Sequence, residues 1–377
     1  MRFLRFVLTL PLTCCALWAQ ISAPAATSIP TGAQYVERQF RMPVPQSFPN
    51  GLDALEVYVN TPGKHPLVLL THGTSDKPEE RRQLTPWSQL GQALWFARRG
   101  YVALVIVRKG YGSSGGKQDG ANGGCRSNGS FEESGDASAE DLRQAVIYAE
   151  KNMPEADTST VVSVGVSTGG FAQVALTTNP PSGLKAAISF AGGRGGDGNG
   201  HLCDEGGLER AFKVYGKKSH TPMLWIYAEN DKWFPPPFAK KFEAAFEEGG
   251  GKDEFVHAAP DGEDGHHLYS HVAAWSETVD KFLGEHELLP LAAPYTGPQP
   301  PKIDPPAGLH DRGLEAFKNF LILGPSKAFA TNGLGVYGLA VGQFTQELAD
   351  ERALENCNKA RHEGPVCAIV SRGVAPK

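Results

Sequence analysis

The chain has 377 residues, of which 41% are hydrophobic and 20% are charged. This composition excludes an intrinsically disordered chain and is typical of a globular protein with a sizeable core. The formal net charge is −5 at pH 7, so the sequence offers no basic surface for nucleic acid or an anionic membrane. With 44 glycines and 28 prolines, the chain is expected to have long loops rich in turns.

The first 26 residues have the pattern of a secretory signal peptide. Arg2 and Arg5 precede an apolar run over residues 6–18, and small residues follow it. The run is shorter than the roughly 20 residues that span a membrane, and no later stretch is long and apolar enough. We therefore predict a secreted or periplasmic protein without an integral membrane segment after signal removal. A retained anchor helix is the alternative.

Four cysteines remain once the signal is removed, and an even number in an oxidising compartment predicts disulfides. Cys357 and Cys367 are close in sequence and lie in one C-terminal segment, so we pair them with each other and pair Cys125 with Cys203. The spacing of these cysteines does not suit zinc. No phosphate-binding or nucleotide-binding motif stands in the required strand-to-helix setting. We expect no metal and no cofactor.

Short apolar runs alternate with amphipathic stretches between residues 35 and 289, a pattern typical of a parallel sheet with crossover helices. The predicted strands cover residues 54–59, 67–71, 102–107, 161–165, 186–190, 223–228 and 254–258. The predicted helices cover residues 87–98, 138–152, 170–178, 207–215, 237–248 and 270–283. The class is therefore α/β.

The C-terminal part predicts a linker and a second domain. Residues 289–308 contain seven prolines, which indicates a stiff, extended linker. After it, residues 328–341 predict a hairpin and residues 346–359 a helix. This small α+β domain buries little core, so a bridge from Cys357 to Cys367 would help to stabilise it. The predicted organisation is therefore a signal peptide (1–26), an α/β domain (27–288), a linker (289–308) and a C-terminal domain (309–377).

The segment GVSTG at residues 165–169 matches G-x-S-x-G, the pattern of a nucleophile elbow. A second match surrounds Ser114, so context has to separate the two. An elbow needs a buried strand before the serine and a helix directly after it. Ser167 has both, whereas Ser114 is followed by glycines and polar residues. We predict that Ser167 is a nucleophile and that Ser114 is a loop residue.

A nucleophilic serine needs a base, and the base needs an orienting carboxylate. Asp231 follows the predicted strand 223–228 at the edge of the sheet where the elbow lies, and we predict it to be the acid, with Glu229 as the alternative. Of the histidines after Asp231, only His266 and His267 lie in the loop after the last predicted strand. We favour His266 as the base, with His267 as the alternative.

An acyl-transfer site also needs donors for the oxyanion. The backbone N–H of Thr168, directly after the predicted nucleophile, is one. The second is expected from the loop after the predicted strand 67–71, where we assign it to the N–H of Thr74. His72 is expected to shape that loop.

These residues resemble the α/β-hydrolase superfamily, and specifically its dienelactone hydrolase and prolyl oligopeptidase-like branch. The resemblance covers about residues 67–282. Its marks are His72-Gly73, the glycine-rich run 108–115, the elbow at Ser167, Asp231 after a strand, and Gly265-His266. It implies a doubly wound, mostly parallel sheet and serine-dependent hydrolysis, and it says little about the substrate.

Two segments depart from the family's usual pattern. The loop over residues 115–134 is long and polar, and residues 192–206 are rich in glycine where many relatives carry a cap. A bridge from Cys125 to Cys203 would tie these two loops together beside the site. We expect a small, stapled lid and an open cleft.

Three functions are compatible with the resemblance. The leading hypothesis is a secreted serine esterase that cleaves small or medium carboxylic esters through an acyl-enzyme. The second is a serine peptidase of the prolyl oligopeptidase-like type. The third is a non-catalytic binding protein on a hydrolase fold, with the C-terminal domain attaching to an unknown partner.

Overall fold

A computed structural model describes residues 27–118 and 130–373 of the chain. Eight strands form its large sheet: β1 (Tyr35–Met42), β2 (Leu52–Val59), β3 (His65–Thr71), β4 (Val102–Val107), β5 (Ala156–Val166), β6 (Leu184–Phe190), β7 (Met223–Ala228) and β8 (Glu254–Ala258). Their spatial order is β1-β2-β4-β3-β5-β6-β7-β8. β1 and β2 are antiparallel to their neighbours, and the other pairs are parallel. The predicted mostly parallel sheet is confirmed, and β1 is an additional edge strand.

Helices cover both faces of this sheet, as a doubly wound fold requires. They are α1 (Pro78–Arg82), α2 (Leu90–Arg98), α3 (Phe131–Asn152), α4 (Thr168–Leu176), α5 (Glu205–Gly216), α6 (Pro236–Gly249) and α7 (Val272–Glu285). α2 and α7 pack on one face around Trp95 and Trp275. α3 to α6 pack on the other face around Phe171, Phe212 and Trp225. The inner strands are apolar on both faces because both faces are covered.

The C-terminal part forms a separate, small α+β domain, as predicted. Its elements are α8 (Asp311–Ile322), β9 (Ala328–Thr331), β10 (Tyr337–Ala340), α9 (Gln346–Ala360) and β11 (Ala368–Arg372). The antiparallel sheet has β9 at its centre and packs between Phe317 and Phe320 of α8 and the buried face of α9. The predicted Cys357–Cys367 disulfide is present. It joins α9 to the segment that leads into β11.

The proline-rich linker is extended, but it lies along the large domain rather than free of it. The Tyr295 N–H donates to the Arg98 carbonyl oxygen at 2.6 Å, and the Arg98 Nε donates to the Tyr295 carbonyl oxygen at 2.8 Å. The hydroxyl of Tyr35 donates to the carbonyl oxygen of Thr296 at 2.7 Å. The linker is therefore anchored to the end of α2 and to β1.

Several predictions fall on segments that the described residues do not include. The predicted signal peptide over residues 1–26 and the predicted disulfide partner Cys125 lie outside them. Cys203 is disulfide-bonded, and the partner predicted for it is Cys125. Ser134, which the sequence placed at the end of a loop, lies in α3, whose first turn is capped by Ser130. In the described ranges, no helix combines the length and the apolar character that crossing a membrane requires.

The carboxyl group of Asp253, just before β8, predicts a pH-dependent stability. Burial, together with the nearby Glu243 and Glu247, raises the pKa of this carboxyl from 3.8 to about 7. Neither of its oxygens has a hydrogen-bond partner in the described chain. A carboxyl whose pKa is higher in the folded state than in the unfolded state costs stability as pH rises from about 4 to about 7.

Asp253→Asn is therefore expected to raise the free energy of unfolding at pH 8 by roughly 2 to 4 kcal/mol, and to change it little at pH 4. Urea unfolding at several pH values measures the difference. Glu277→Gln, at an exposed position without an ion pair in the described part of the chain, is the control and is expected to lack this pH dependence. An Asp253→Asn gain that is equal at pH 4 and pH 8 would contradict the interpretation.

Candidate active site

Ser167 lies at the sharp turn between β5 and α4. Its backbone has φ 57° and ψ −121°, a left-handed conformation that residues other than glycine rarely adopt. The strain is maintained by hydrogen bonds on both sides, because the Ser167 N–H donates to the Phe190 carbonyl oxygen at 2.8 Å and the Phe171 N–H donates to the Ser167 carbonyl oxygen at 2.9 Å. Such strain in a non-glycine residue is a frequent mark of a functional site.

Glycines on three sides make room for this turn. A β-carbon at Gly165 would lie 2.4 Å from the carbonyl oxygen of Gly169, and one at Gly169 would lie 2.4 Å from the carbonyl oxygen of His72. A β-carbon at Gly73 would lie 2.9 Å from that of Ser167. Side chains are therefore excluded at these positions, and the loop after β3 packs directly against the serine.

The imidazole of His266 and the carboxylate of Asp231 form a buried pair. His266 Nδ1 lies 3.1 Å and 3.0 Å from the two carboxylate oxygens of Asp231. The N–H groups of Trp233 and Phe234 also donate to Asp231 Oδ1, at 2.8 and 2.9 Å. The carboxylate is thus held by the turn after β7. With Nδ1 engaged, Nε2 is the ring nitrogen that is left to exchange a proton.

The loop that carries His266 is fixed by backbone contacts. Asp264 Oδ1 accepts from the N–H groups of His266 and Lys232, both at 3.0 Å. A β-carbon at Gly265 would lie 2.4 Å from Asn230 Oδ1, which brings this loop tightly against the end of β7. The ring of Trp233 stacks on the imidazole with centroids 5.4 Å apart. These contacts restrict the orientation of the ring.

Ser167 and His266 line one cavity of about 450 Å³, together with Thr74, Trp233 and His267. Among the described residues, no hydrogen bond joins the Ser167 hydroxyl to the His266 ring. Hydrogen bonds of catalytic groups are often long before substrate binds and tighten in its complex. Ser167 and His266 thus share one cavity without a direct hydrogen bond between their side chains.

The alternative residues lie outside the buried pair. His267 is at the exposed surface of the cavity, and desolvation by the surrounding protein and the neighbouring His266 lower its pKa. Glu229 is exposed and has no hydrogen bond to either imidazole in the part of the chain described. The geometry favours Asp231 and His266 over Glu229 and His267.

Thr74 and Thr168 also come together beside Ser167. Their hydroxyl groups lie 2.8 Å apart, and the Thr74 hydroxyl lies 2.8 Å from that of Tyr111. Thr168 is the first residue of α4, where backbone N–H groups have no acceptor within the helix. The loop after β3 and the start of α4 thus meet beside Ser167.

Comparison with known proteins agrees with this architecture. Residues 51–232 match the family model of X-Pro dipeptidyl-peptidase (S15 family), slightly less than half of the chain. The matched span contains the elbow and ends one residue after Asp231. The matched residues include the strands β2 to β7 of the large sheet. The chain has the fold of the α/β-hydrolase superfamily. The family match agrees with the expected resemblance to α/β hydrolases.

Solved structures similar to this hydrolase share little sequence with it. A protein assigned as a dienelactone hydrolase from Klebsiella pneumoniae is 15% identical, with 67% of this chain and 99% of that chain covered and a TM-score of 0.46. An esterase from Pyrococcus furiosus is 14% identical, with 67% of this chain and 92% of that chain covered and a TM-score of 0.45. An acylaminoacyl peptidase from Pyrococcus horikoshii is 16% identical, with 67% of this chain covered and a TM-score of 0.46. Only 41% of that protein is covered, so the chain spans less than half of it. No curated protein matches the chain.

Sequence reasoning missed the part played by Arg108 in this hydrolase. Its side chain is fully buried, and it donates to the hydroxyls of Thr71 and Thr168, both at 2.9 Å, and to the carbonyl oxygen of His72. It therefore connects the loop after β3 to the start of α4. The signal was an arginine directly after the six buried residues of β4, where a charge needs several partners.

His72 shapes the loop after β3, as expected. Its Nδ1 lies 2.6 Å from the carbonyl oxygen of Gly73, and its Nε2 accepts from the N–H of Arg108 at 3.0 Å. Burial and the charge of Arg108 hold the pKa of His72 well below its ordinary value. A neutral ring that bonds both segments acts as a structural brace.

The second G-x-S-x-G match has a structural role. The Ser114 hydroxyl donates to the carbonyl oxygen of Val107 at 2.7 Å and accepts from the N–H of Asp53 at 2.8 Å. It thereby joins the turn after β4 to β2. Ser114 does not line the cavity that holds Ser167 and His266.

Proposed function

We propose that this hydrolase is a secreted serine esterase that cleaves small or medium carboxylic esters. The observation that carries the proposal is the strained Ser167, which shares a cavity with an imidazole paired to a buried carboxylate. A strained serine without a base would be an incidental turn, and a His-Asp pair without a nucleophile would have no hydroxyl proton to accept. Together they are the components of acyl transfer.

In the proposed mechanism, the Ser167 hydroxyl oxygen attacks the ester carbonyl carbon while His266 Nε2 accepts the hydroxyl proton. The resulting imidazolium is stabilised by Asp231. The N–H groups of Thr74 and Thr168 hold the oxyanion. Collapse of the tetrahedral adduct breaks the bond to the alcohol oxygen, which takes the proton from His266, and leaves an acyl-enzyme.

Water completes the cycle by the same route. His266 accepts a proton from the attacking water, and the second tetrahedral adduct releases the carboxylic acid as Ser167 recovers its proton. The loop after β3 is expected to contribute through its rigidity, since a preformed oxyanion site does not reorganise during the reaction. The arrangement needs no group beyond the side chains and amides described.

A second candidate is a peptidase that releases X-Pro dipeptides. The match of residues 51–232 to the X-Pro dipeptidyl-peptidase family model favours it. Peptide cleavage uses the same nucleophile and base but has to protonate a much poorer leaving group. The chain's activity on the two kinds of substrate separates the candidates.

The test uses the chain from residue 27 onward. A fluorophosphonate is expected to label Ser167, as located by mass spectrometry of the peptides. The protein is then assayed with p-nitrophenyl esters of two to eight acyl carbons and with Gly-Pro-p-nitroanilide. Turnover of the esters with little turnover of the anilide supports the esterase. The opposite preference supports the peptidase, and absence of labelling supports a binding protein.

Secretion is part of the same proposal. The N-terminal pattern of residues 1–26 and the Cys357–Cys367 disulfide support an oxidising compartment. Substrates would then be esters outside the cytoplasm. Expression of the full chain followed by fractionation and N-terminal sequencing tests the compartment and the cleavage site.

A further inference from the structure

A second cavity of about 200 Å³ lies directly beside the catalytic one. The two cavities share Gly73, Ser75 and Glu80 as lining residues. The second cavity therefore continues the cleft past the loop after β3. Its volume is large enough for several water molecules. It can therefore hold a short carbon chain of a substrate.

The C-terminal domain forms one wall of this second cavity, through Gly342, Gln343 and Arg352. Its position is fixed by close packing, since the Thr85 hydroxyl donates to the carbonyl oxygen of Gly342. A β-carbon at Gly342 would also lie 2.8 Å from the backbone of Trp87. The domain is thus part of the cleft wall and not only an appended module.

The one carboxylate among the lining residues of the second cavity already has its own partners. Glu80 accepts from the Ser75 hydroxyl at 2.7 Å and from Lys77 Nζ at 3.1 Å. Burial raises its pKa, but these two hydrogen bonds and the charges of Lys77 and Arg352 outweigh it and hold the pKa below its ordinary value. Glu80 is therefore ionised and neutralised largely by Lys77.

The positive charges of two guanidinium groups that line the second cavity, those of Arg81 and Arg352, are only weakly neutralised by carboxylates. Arg81 donates to the carbonyl oxygens of Ser75 and Asp76, and within residues 27–118 and 130–373 it has no ion pair. Arg352 lies 3.9 Å from Glu80 Oε1, the limit for an ion pair, and 3.4 Å from Gln83 Oε1. The second cavity therefore carries an excess of positive charge and suits an anion, which arginine binds through paired N–H donors.

The position of the second cavity indicates which part of the substrate it takes. Its lining includes Gly73 and Ser75 on either side of Thr74, but neither His266 nor Trp233. The acyl carbonyl is oriented by Thr74, while the alcohol leaves on the side of the imidazole that protonates it. The second cavity is therefore on the acyl side.

We propose that the second cavity is a subsite for a carboxylate on the acyl part of the ester, and that Arg352 of the C-terminal domain binds this carboxylate together with Arg81. The substrate class is then a monoester of a short dicarboxylic acid. This inference rests on the proposed esterase function and adds to it a specificity-determining residue from the second domain.

The test compares two esters of equal acyl length, mono-p-nitrophenyl glutarate and p-nitrophenyl valerate. The wild-type chain is expected to prefer the glutarate ester in kcat/KM. Arg352→Gln is expected to lower kcat/KM for the glutarate ester about 10- to 100-fold and to leave that for the valerate ester within about two-fold. Arg352→Lys is expected to recover part of the loss.

Arg372→Gln is the matched control, because Arg372 lies in the same domain and pairs with Asp350 at 2.8 Å without lining either cavity. This variant is expected to leave kcat/KM unchanged for both esters. An equal loss for both esters in Arg352→Gln would assign Arg352 a structural role and overturn the proposal. A wild-type preference for the valerate ester would also overturn it.

A binding measurement separates this inference from the proposed function. Calorimetry with free glutarate is expected to show saturable binding to the wild-type chain and binding at least ten-fold weaker to Arg352→Gln. Loss of fluorophosphonate labelling counts against the esterase, whereas labelling without glutarate binding counts against the subsite. The two failures are therefore distinct.

Discussion

Ser167→Ala is expected to lower kcat for p-nitrophenyl acetate by a factor on the order of 10⁵ to 10⁶, with KM changed little. Removal of the hydroxyl leaves the acyl group without an acceptor. The remaining oxyanion donors and the binding site can then accelerate only direct attack by water. Steady-state assays at a fixed pH measure the loss, and circular dichroism with urea unfolding checks that the fold is retained.

The control for this experiment is supplied by the second G-x-S-x-G match. Ser114→Ala removes a hydroxyl that bonds Val107 and Asp53, so it is expected to cost about 1–3 kcal/mol of stability and to leave kcat of the folded protein near its wild-type value. Fluorophosphonate labelling should survive in Ser114→Ala and disappear in Ser167→Ala. The reverse result would move the nucleophile to the other motif.

The elbow could be predicted because its evidence is local. A buried strand, a serine between two glycines and a helix directly after it follow one another in the sequence, and the strain at Ser167 follows from that order. The role of Ser114 could not be predicted in this way. Its hydroxyl satisfies the N–H of Asp53, a residue 61 positions away, and only the folded sheet brings the two together.

The elements that sequence reasoning missed lie at edges or contain weak signals. β1 is an edge strand with exposed polar side chains at four of its eight positions, so its apolar alternation is faint. α8 follows the proline-rich segment and contains Gly313, a poor helix former. In the fold, a β-carbon at Gly313 would lie 3.1 Å from Leu309 and 3.3 Å from Tyr337. Packing with these side chains favours a small residue there.

The placement of the C-terminal domain was also beyond the sequence. The linker suggested a spacer, yet Tyr295 is bonded to Arg98, and Gly342 packs against Trp87. Neither contact has a signature in composition or periodicity, because the first depends on how the linker fits the large domain and the second on complementary surfaces of the two domains. This is why the wall formed by Arg352 emerges only from the fold, whereas the pairing of Cys357 with Cys367 followed from their proximity in sequence.

Asp231→Asn is expected to lower kcat on the order of 10⁴-fold. The amide retains an oxygen that can accept from the N–H groups of Trp233 and Phe234, so the turn after β7 should persist. Its NH₂ group, however, can donate to His266 Nδ1. This favours the tautomer that carries the proton on Nε2, which cannot take the proton of Ser167. The imidazolium also loses its counter-charge.

The matched control for Asp231→Asn is Glu229→Gln, which makes the same change of charge two residues earlier at an exposed position. It is expected to leave kcat within about two-fold, because Glu229 has no contact with His266 in the described structure. The same logic applies to the base, since His266→Asn should abolish turnover and His267→Asn should mainly alter KM. A loss in Glu229→Gln comparable to that in Asp231→Asn would show that the acid has been assigned to the wrong carboxylate, even though Asp231 is the one that lies 3.0 Å from the imidazole.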